Sequence, residues 1–305
     1  MLQTVARRLI LLPITLLLVS FVTFIVLRAT GNPITIFLDV NHTPEQVAAL
    51  TQRLHLDQPL VVQYFIYLGD LLRGDFGQSL QFGGPAINPV LQSLGPTLQL
   101  MGCALALAVV FGIIGGMAAA VYRDRVPDAL LSSLAVIGQS MPSFWLGILL
   151  IQLFALKLQW LPTSGSGDWQ QLVLPSLTLA AFLLPNFLLV TRTAVIELLD
   201  EQFVSTARAK GLSRLRILLT HIFPNALNPI LSFLGIQVGT LVGGSVITES
   251  IFGWPGLGRL MIGAVSNRDV PVVLAAVVLT SIAIVFANLI VDVLQSLIDP
   301  RIRQD

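Results

Sequence analysis

Six times along its length this chain runs for about twenty residues with almost no charge, and that repetition constrains its fold more than any other feature. A helix rises 1.5 Å per residue and the hydrocarbon core of a bilayer is about 30 Å thick, so each run is long enough to cross it. The runs are Leu9 to Leu27, Thr97 to Val121, Leu130 to Leu156, Val173 to Ile196, Pro229 to Ile251 and Pro271 to Ile298. Charged residues make up 11% of the 305, less than half the usual share of a soluble domain, which excludes a soluble enzyme. The chain reads as an all-α integral membrane protein with six transmembrane helices. Its net charge of +1 offers nothing to nucleic acid. Cys103, the single cysteine, lies within an apolar run and reads as a packed thiol.

The first run follows Arg7 and Arg8 like a signal peptide, but its exit, Arg28-Ala29-Thr30-Gly31-Asn32, has no small-residue cleavage pattern, so it reads as an uncleaved anchor. Pro142, Pro175 and Pro185 interrupt other spans and are expected as kinks. Short loops rich in Lys and Arg stay inside. With the N-terminus inside, that side collects Arg7, Arg8, Arg123, Arg125, Arg192, Arg208, Lys210, Arg214, Arg216, Arg301 and Arg303, 11 of the 17 basic residues. Both termini are therefore expected on the cytoplasmic side.

The organisation expected is an N-terminal segment and first span over 1–28, an external helical cap over 29–96, and a core over 97–305 that carries an internal loop at 197–228 and an external one at 252–271. In the cap, Thr43 precedes Pro44 as a helix cap and the helix should run to about Leu54. Asp57-Gln58-Pro59 opens a second helix with Val62, Phe65, Ile66, Gly69 and Leu72 along one side, stopped by Gly74-Asp75-Phe76-Gly77, and the two helices can lie as a small cap on the bundle.

In the internal loop, Glu197 to Lys210 reads as one helix with a Leu198, Leu199, Phe203 stripe, stopped by Gly211. Ser213 caps a second helix that Pro224 and Pro229 should end. On charge alone, the basic turn here is a topology and lipid signal. Yet Ser205-Thr206-Ala207-Arg208-Ala209-Lys210-Gly211, with Pro224 thirteen residues on, resembles the EAA loop of ABC-importer permeases, in the form typical of the dipeptide, oligopeptide and nickel family. The resemblance spans nearly the whole chain: Leu56-Asp57-Gln58-Pro59-Leu60, Gln63-Tyr64 and Gly74 to Ser79 near the start; Gly243-Gly244-Ser245, Glu249, Phe252 to Arg259 and Asn267-Arg268-Asp269 later; Asp292 and Asp299-Pro300-Arg301 at the end. Ser205 stands for Glu at the loop's first position; His55 for Gly, Val270 and Gln295 for common aromatics and Pro224 for Arg are departures outside the loop's core.

This resemblance implies a type I ABC-importer permease fold in the bacterial inner membrane, with the 29–96 cap in the periplasm. It implies a transport subunit, not an enzyme, that takes peptides or a related small solute from a periplasmic solute-binding protein. Two ABC ATPase subunits, a second homologous permease and membrane lipid are the implied partners. Lys157 and Lys210 are the only lysines and neither lies in a G-x-x-x-x-G-K-[ST] loop, so this chain holds no cofactor; ATP and Mg belong to the ATPase subunits. Residues Ser205 to Gly211 and Pro224 form the implied ATPase-coupling loop. Glu249, Trp254, Arg259, Arg268 and Asp269 are candidates for the pathway or the binding-protein contact, Glu249 first among them, with a structural ion pair as its other reading. Gly112 and Gly116, and Gly235, Gly239 and Gly243, recur at four-residue spacing and permit close helix packing, within the chain or, for the last three, against the second permease.

Two other classes compete. A membrane enzyme would need clustered catalytic groups, but His42 and His55 are expected outside and His221 inside, with no H-E-x-x-H present. A secondary transporter or channel working alone would place ionisable groups near the midplane, where these spans have almost none.

Overall fold

The computed structural model describes residues 2–29, 44–53, 55–79 and 81–298. Thr43, His42 and the Asp299-Pro300-Arg301 signature lie outside the described residues. The chain order is α1 (Leu2–Ala29), α2 (Pro44–Arg53), α3 (Leu60–Leu72), a two-strand hairpin β1 (Gln78–Ser79) and β2 (Gly84–Pro85), α4 (Ile87–Val121), α5 (Val126–Ser140), α6 (Ser143–Leu150) running on as a π turn over Ile151–Lys157, α7 (Trp169–Leu199), α8 (Gln202–Ala209), α9 (Arg214–Ile217), a second π turn over Leu218–Ile222, α10 (Phe223–Ile251), α11 (Leu257–Ser266) and α12 (Val270–Ile298). Among the described residues, four helices are long and apolar enough to cross a bilayer: Ile87–Val121, Trp169–Leu199, Arg214–Ile251 and Val270–Val293. The α5 and α6 pair makes a fifth if it is one broken span.

The centre of the bundle is the α4–α7 pair. Leu100, Ala104, Ala108, Gly112, Gly116 and Ala120 recur every fourth residue on α4, and all are buried. They present a nearly flat ridge to Leu179, Leu183, Phe187 and Thr191 of α7. A methyl group on Gly116 would stand 2.5 Å from the Leu188 carbonyl oxygen, and one on Gly112 the same distance from Phe187 Cβ. Lipid tails are as apolar as these side chains, so the pair is held by van der Waals contact, which only small residues allow at this separation.

Several elements depart from the expectations. The span expected over Leu130 to Leu156 is broken: α5 and the following helix meet at 102°. Pro142 donates no hydrogen bond and pushes Met141 into extended backbone, at φ −84° and ψ 127°. Pro175 and Pro185, by contrast, lie inside an unbroken α7. Helix α4 begins at Ile87, ten residues before Thr97, with Pro96 inside it. Helix α3 starts after Pro59 and ends before Gly74 as expected. Val62, Phe65 and Leu72 face outward, while Gln63 and Tyr64 are buried against the bundle.

Candidate functional site

The elbow between α7 and α10 is built from local backbone chemistry. The single helix expected from Glu197 to Lys210 is two helices: α7 ends at Leu199, Glu201 is extended at ψ 150°, and α8 starts at Gln202. Helix α8 closes in a Schellman motif, with the Leu212 N–H donating to the Ala207 carbonyl at 3.3 Å and the Gly211 N–H to the Arg208 carbonyl at 2.9 Å. That motif needs left-handed backbone at Gly211, which has φ +80°. Ser213 caps α9 by accepting from the Arg216 N–H at 3.4 Å.

The second helix does not end at Pro224 or Pro229. It passes through the Leu218–Ile222 π turn into α10, with Pro224 in the first turn and Pro229 inside, so Arg214–Ile251 is one helix of 38 residues. The widened turn accommodates a residue that cannot donate to the preceding carbonyls. Val204, Ala207, Ile217 and Ile222 anchor the elbow in the main core. Ser205, Thr206, Arg208, Ala209, Lys210, Gly211 and Pro224 remain exposed, and so do Phe203, Leu215 and Leu219. The free face of the elbow is therefore an apolar patch edged by Arg208, Lys210, Arg214 and Arg216. Ala207 is turned inward and Phe203 outward, opposite to the stripe expected from the sequence.

At the far end of α10 lies a second constellation. Glu249 is fully buried. Its Oε1 accepts from Thr97 Oγ1 at 2.7 Å and its Oε2 from the Arg259 N–H at 3.1 Å. Thr97 Oγ1 in turn accepts from the Leu257 N–H at 2.7 Å. The carboxylate thus sits at the N-terminus of α11, where free N–H groups and the helix dipole favour an anion. Gly256 and Gly258 make room for it: a side chain at Gly256 would collide with the carboxyl group, and one at Gly258 would stand 2.8 Å from Oε2 and 2.6 Å from Val246 Cα. Trp254 is buried, its indole N–H donating to the Pro96 carbonyl at 2.9 Å. The Arg259 guanidinium turns away and donates to the Gly253 carbonyl at 2.6 Å, so Glu249 holds backbone and hydroxyl rather than an ion-pair partner.

Asp269 makes a similar staple one loop later. Fully buried, its Oδ2 accepts from Ser79 Oγ at 2.6 Å and from the Gln81 N–H at 3.1 Å, tying the hairpin to the start of α12. Gly77 lies against Pro271: a Cβ on Gly77 would stand 3.4 Å from the Pro271 Cβ. Two sequence motifs 190 residues apart are thereby one contact. Arg268 is exposed beside it with φ 53°.

The α10 glycines divide. A Cβ on Gly235 would touch Val291 of α12 at 3.4 Å, whereas Gly239 and Gly243 would meet nothing within 4 Å. Gly235 and Gly239 line an open groove of about 450 Å³ between α10 and α12, together with Ser232, Asn288, Asp292 and Gln295.

Sequence reasoning missed the pairing of Asp128 with Arg192. The guanidinium donates twice to the carboxylate, at 2.6 and 2.7 Å, and Asp128 also accepts from Ser132 Oγ and the Asp124 N–H. The pair binds the start of α5 to α7 about two turns before α7 ends at the elbow. A buried-span arginine within reach of an acidic helix start was the available signal. Among the described residues, no three His, Cys, Asp or Glu side chains gather where a metal ion could be held.

Comparison with known proteins decides the family. Residues 112–304 match the family described as binding-protein-dependent transport system inner membrane component, and residues 1–91 match its N-terminal region. The chain belongs to this permease family. It is 42% identical over 304 residues to the glutathione transport system permease protein GsiC of Salmonella paratyphi A, covering 99% of both chains, and 40% identical over the same length to GsiC of Escherichia coli K12. In fold, the permease resembles a chain of the MetNI methionine ABC transporter in an inward-facing conformation. The TM-score is 0.60 at 18% identity, covering 69% of this chain and 96% of that one. It is an ABC-importer permease of the bacterial inner membrane, and the ATPase is a separate subunit.

Proposed function

We propose that this permease is a six-span lever, driven from the cytoplasm at the elbow and read out in the periplasm at α11, with both termini cytoplasmic. The observation that carries this reading is the continuous Arg214–Ile251 helix, 38 residues or about 57 Å long. The elbow is at one end and Glu249, gripping α11, is near the other. A push on the exposed Phe203, Leu215 and Leu219 patch travels along a rigid body rather than through a flexible loop. Helix α1, 28 residues and about 42 Å long, supplies the sixth span. The alternating contacts, Thr97 with Glu249 at one end and Asp128 with Arg192 at the other, support that topology.

The patch and its basic edge dock one of the transporter's two ATPase subunits, which bind ATP and Mg. The loop around Trp254, Arg259 and Arg268 faces the periplasmic binding protein. Gly239 and Gly243 meet a second permease subunit across the pathway. The solute is a small peptide or a glutathione-like compound, on the strength of the GsiC relatives. Glu249, being enclosed, serves the lever rather than the solute.

The test compares Gly211→Ala with Gly211→Leu in the assembled transporter. Both impose the same left-handed backbone strain, about 1–2 kcal/mol, but only leucine projects bulk from a position where the chain itself has nothing within 4 Å. Solute-stimulated ATP hydrolysis should persist with alanine and be lost with leucine at equal membrane insertion. Wild-type transport in vesicles by the leucine variant would overturn the docking assignment.

A further inference from the structure

We infer that the outward face of α3 is a lipid-contacting surface, and that this helix lies within the acyl region of the leaflet holding the Ala29 end of α1 rather than above the membrane. The polarity of α3 is inverted relative to a helix facing water. Leu60, Val61, Val62, Phe65 and Leu72 are exposed, Phe65 by 65% and Leu72 by 82%, while Gln63 and Tyr64 are buried. A water-facing amphipathic helix buries its apolar stripe; this one buries Gln63 and Tyr64 and turns its apolar side chains outward. The Gln63 side-chain amide donates to the Gln58 carbonyl at 2.8 Å, and the Tyr64 hydroxyl donates to the Leu17 carbonyl at 3.0 Å and lies 3.0 Å from Ser20 Oγ.

Those partners fix the depth. Leu17 lies about 18 Å along the axis from the Ala29 end of α1, close to the middle of that 28-residue helix. The Tyr64 ring packs edge-on to Phe21 with centroids 5.1 Å apart, and both Phe24 and Tyr64 pack with Leu274 near the start of α12. The exposed face of α3 is thus continuous with the outward side of α1, where Leu18 is 62% and Val22 52% exposed. No charge falls between Asp57 and Asp70. At 13 residues, about 20 Å, the helix is too short to cross, so it occupies one leaflet. That continuity names phospholipid acyl chains as the occupant.

The inference rests on α1 being a span, and the experiment separates the two. In the full transporter carrying Cys103→Ser and reconstituted in phospholipid vesicles, Phe65→Cys, Val61→Cys, Leu18→Cys and Asp57→Cys are each nitroxide-labelled. Collision with oxygen and with a water-soluble nickel chelate is then measured. Labels at positions 65 and 61 should favour oxygen as strongly as the label at 18, and the label at 57 should favour nickel. Nickel access at 65 and 61 with oxygen preference at 18 overturns the inference and spares the span. Exclusion of both reagents at 65 and 61 also overturns it, since a protein partner then covers the face. Nickel access at 18 removes the span reading, and this inference with it.

Discussion

Glu249 shows how one side chain can be legible in kind while its surroundings are not. A lone carboxylate near a span end is costly in lipid unless something compensates it, so a sequence reading assigns it to solute or to an ion pair. The structure compensates it with Thr97 and the N-terminus of α11. The spacing from Glu249 to Gly256 and Gly258 was visible, but only the fold reveals that the glycines exist to admit the carboxylate. Hydrogen bonds to a charged group contribute about 1.5–3 kcal/mol each, so Glu249→Ala should release α11 selectively. Amide hydrogen exchange over Leu257–Ser266 should accelerate about tenfold or more, with the Gln202–Ala209 helix unchanged. Equal acceleration in both helices would mean the side chain supports the whole bundle instead.

At the scale of elements, four of the spans and the glycine-ended turn were readable because apolar length and Schellman chemistry are local. Proline was not readable. Pro142 breaks its span, Pro175 and Pro185 do not, and Pro224 sits beyond a π turn in a helix it was expected to end. Whether a carbonyl freed by proline finds another donor depends on neighbours that the local sequence does not name. The π turn also sets which side of α9 faces outward. Pro224→Ala removes the reason for it, and relaxation to regular helix would rotate Leu215 and Leu219 relative to α10. Solute-stimulated ATP hydrolysis should fall while expression and insertion hold; unchanged stimulation would show that the π turn has no part in coupling.

The Asp128–Arg192 pair belongs to this scale too, because it joins the start of α5 to α7. Removing one partner of a fully buried pair costs about 3–5 kcal/mol; with Asp128 buried and the Arg192 side chain 27% exposed, this pair falls below that, yet above exposed pairs such as Arg123 with Asp200, which contribute about 0.2–1 kcal/mol. Asp128→Ala should therefore lower the thermal midpoint of the purified protein clearly and Arg123→Ala hardly at all. Intrinsic tryptophan fluorescence during heating checks both. Similar midpoints for the two variants would show that solvent reaches the Asp128 pair.

For the whole molecule, the question is which close-packing surfaces complete the chain and which await another subunit. The four-residue glycine spacing looks alike on α4 and α10, and the sequence left internal packing and subunit contact open for α10. The surroundings separate them. Gly116 is pressed against the Leu188 carbonyl and Thr191, so Gly116→Leu must force α4 from α7 and should leave little folded protein after detergent extraction. Gly239 faces open space beside a polar groove, and a Cβ there meets nothing within 4 Å, so Gly239→Leu starts without the collision that Gly116 faces. Expressed alone, that variant should extract, elute and melt like the unaltered permease. Expressed with its partner subunits, it should fail to copurify with the second permease, because bulk now stands where two helix backbones approach. Copurification at the normal ratio would mean that the α10 face looks onto lipid or solute, and the pathway would then have to be assembled from a different pair of surfaces.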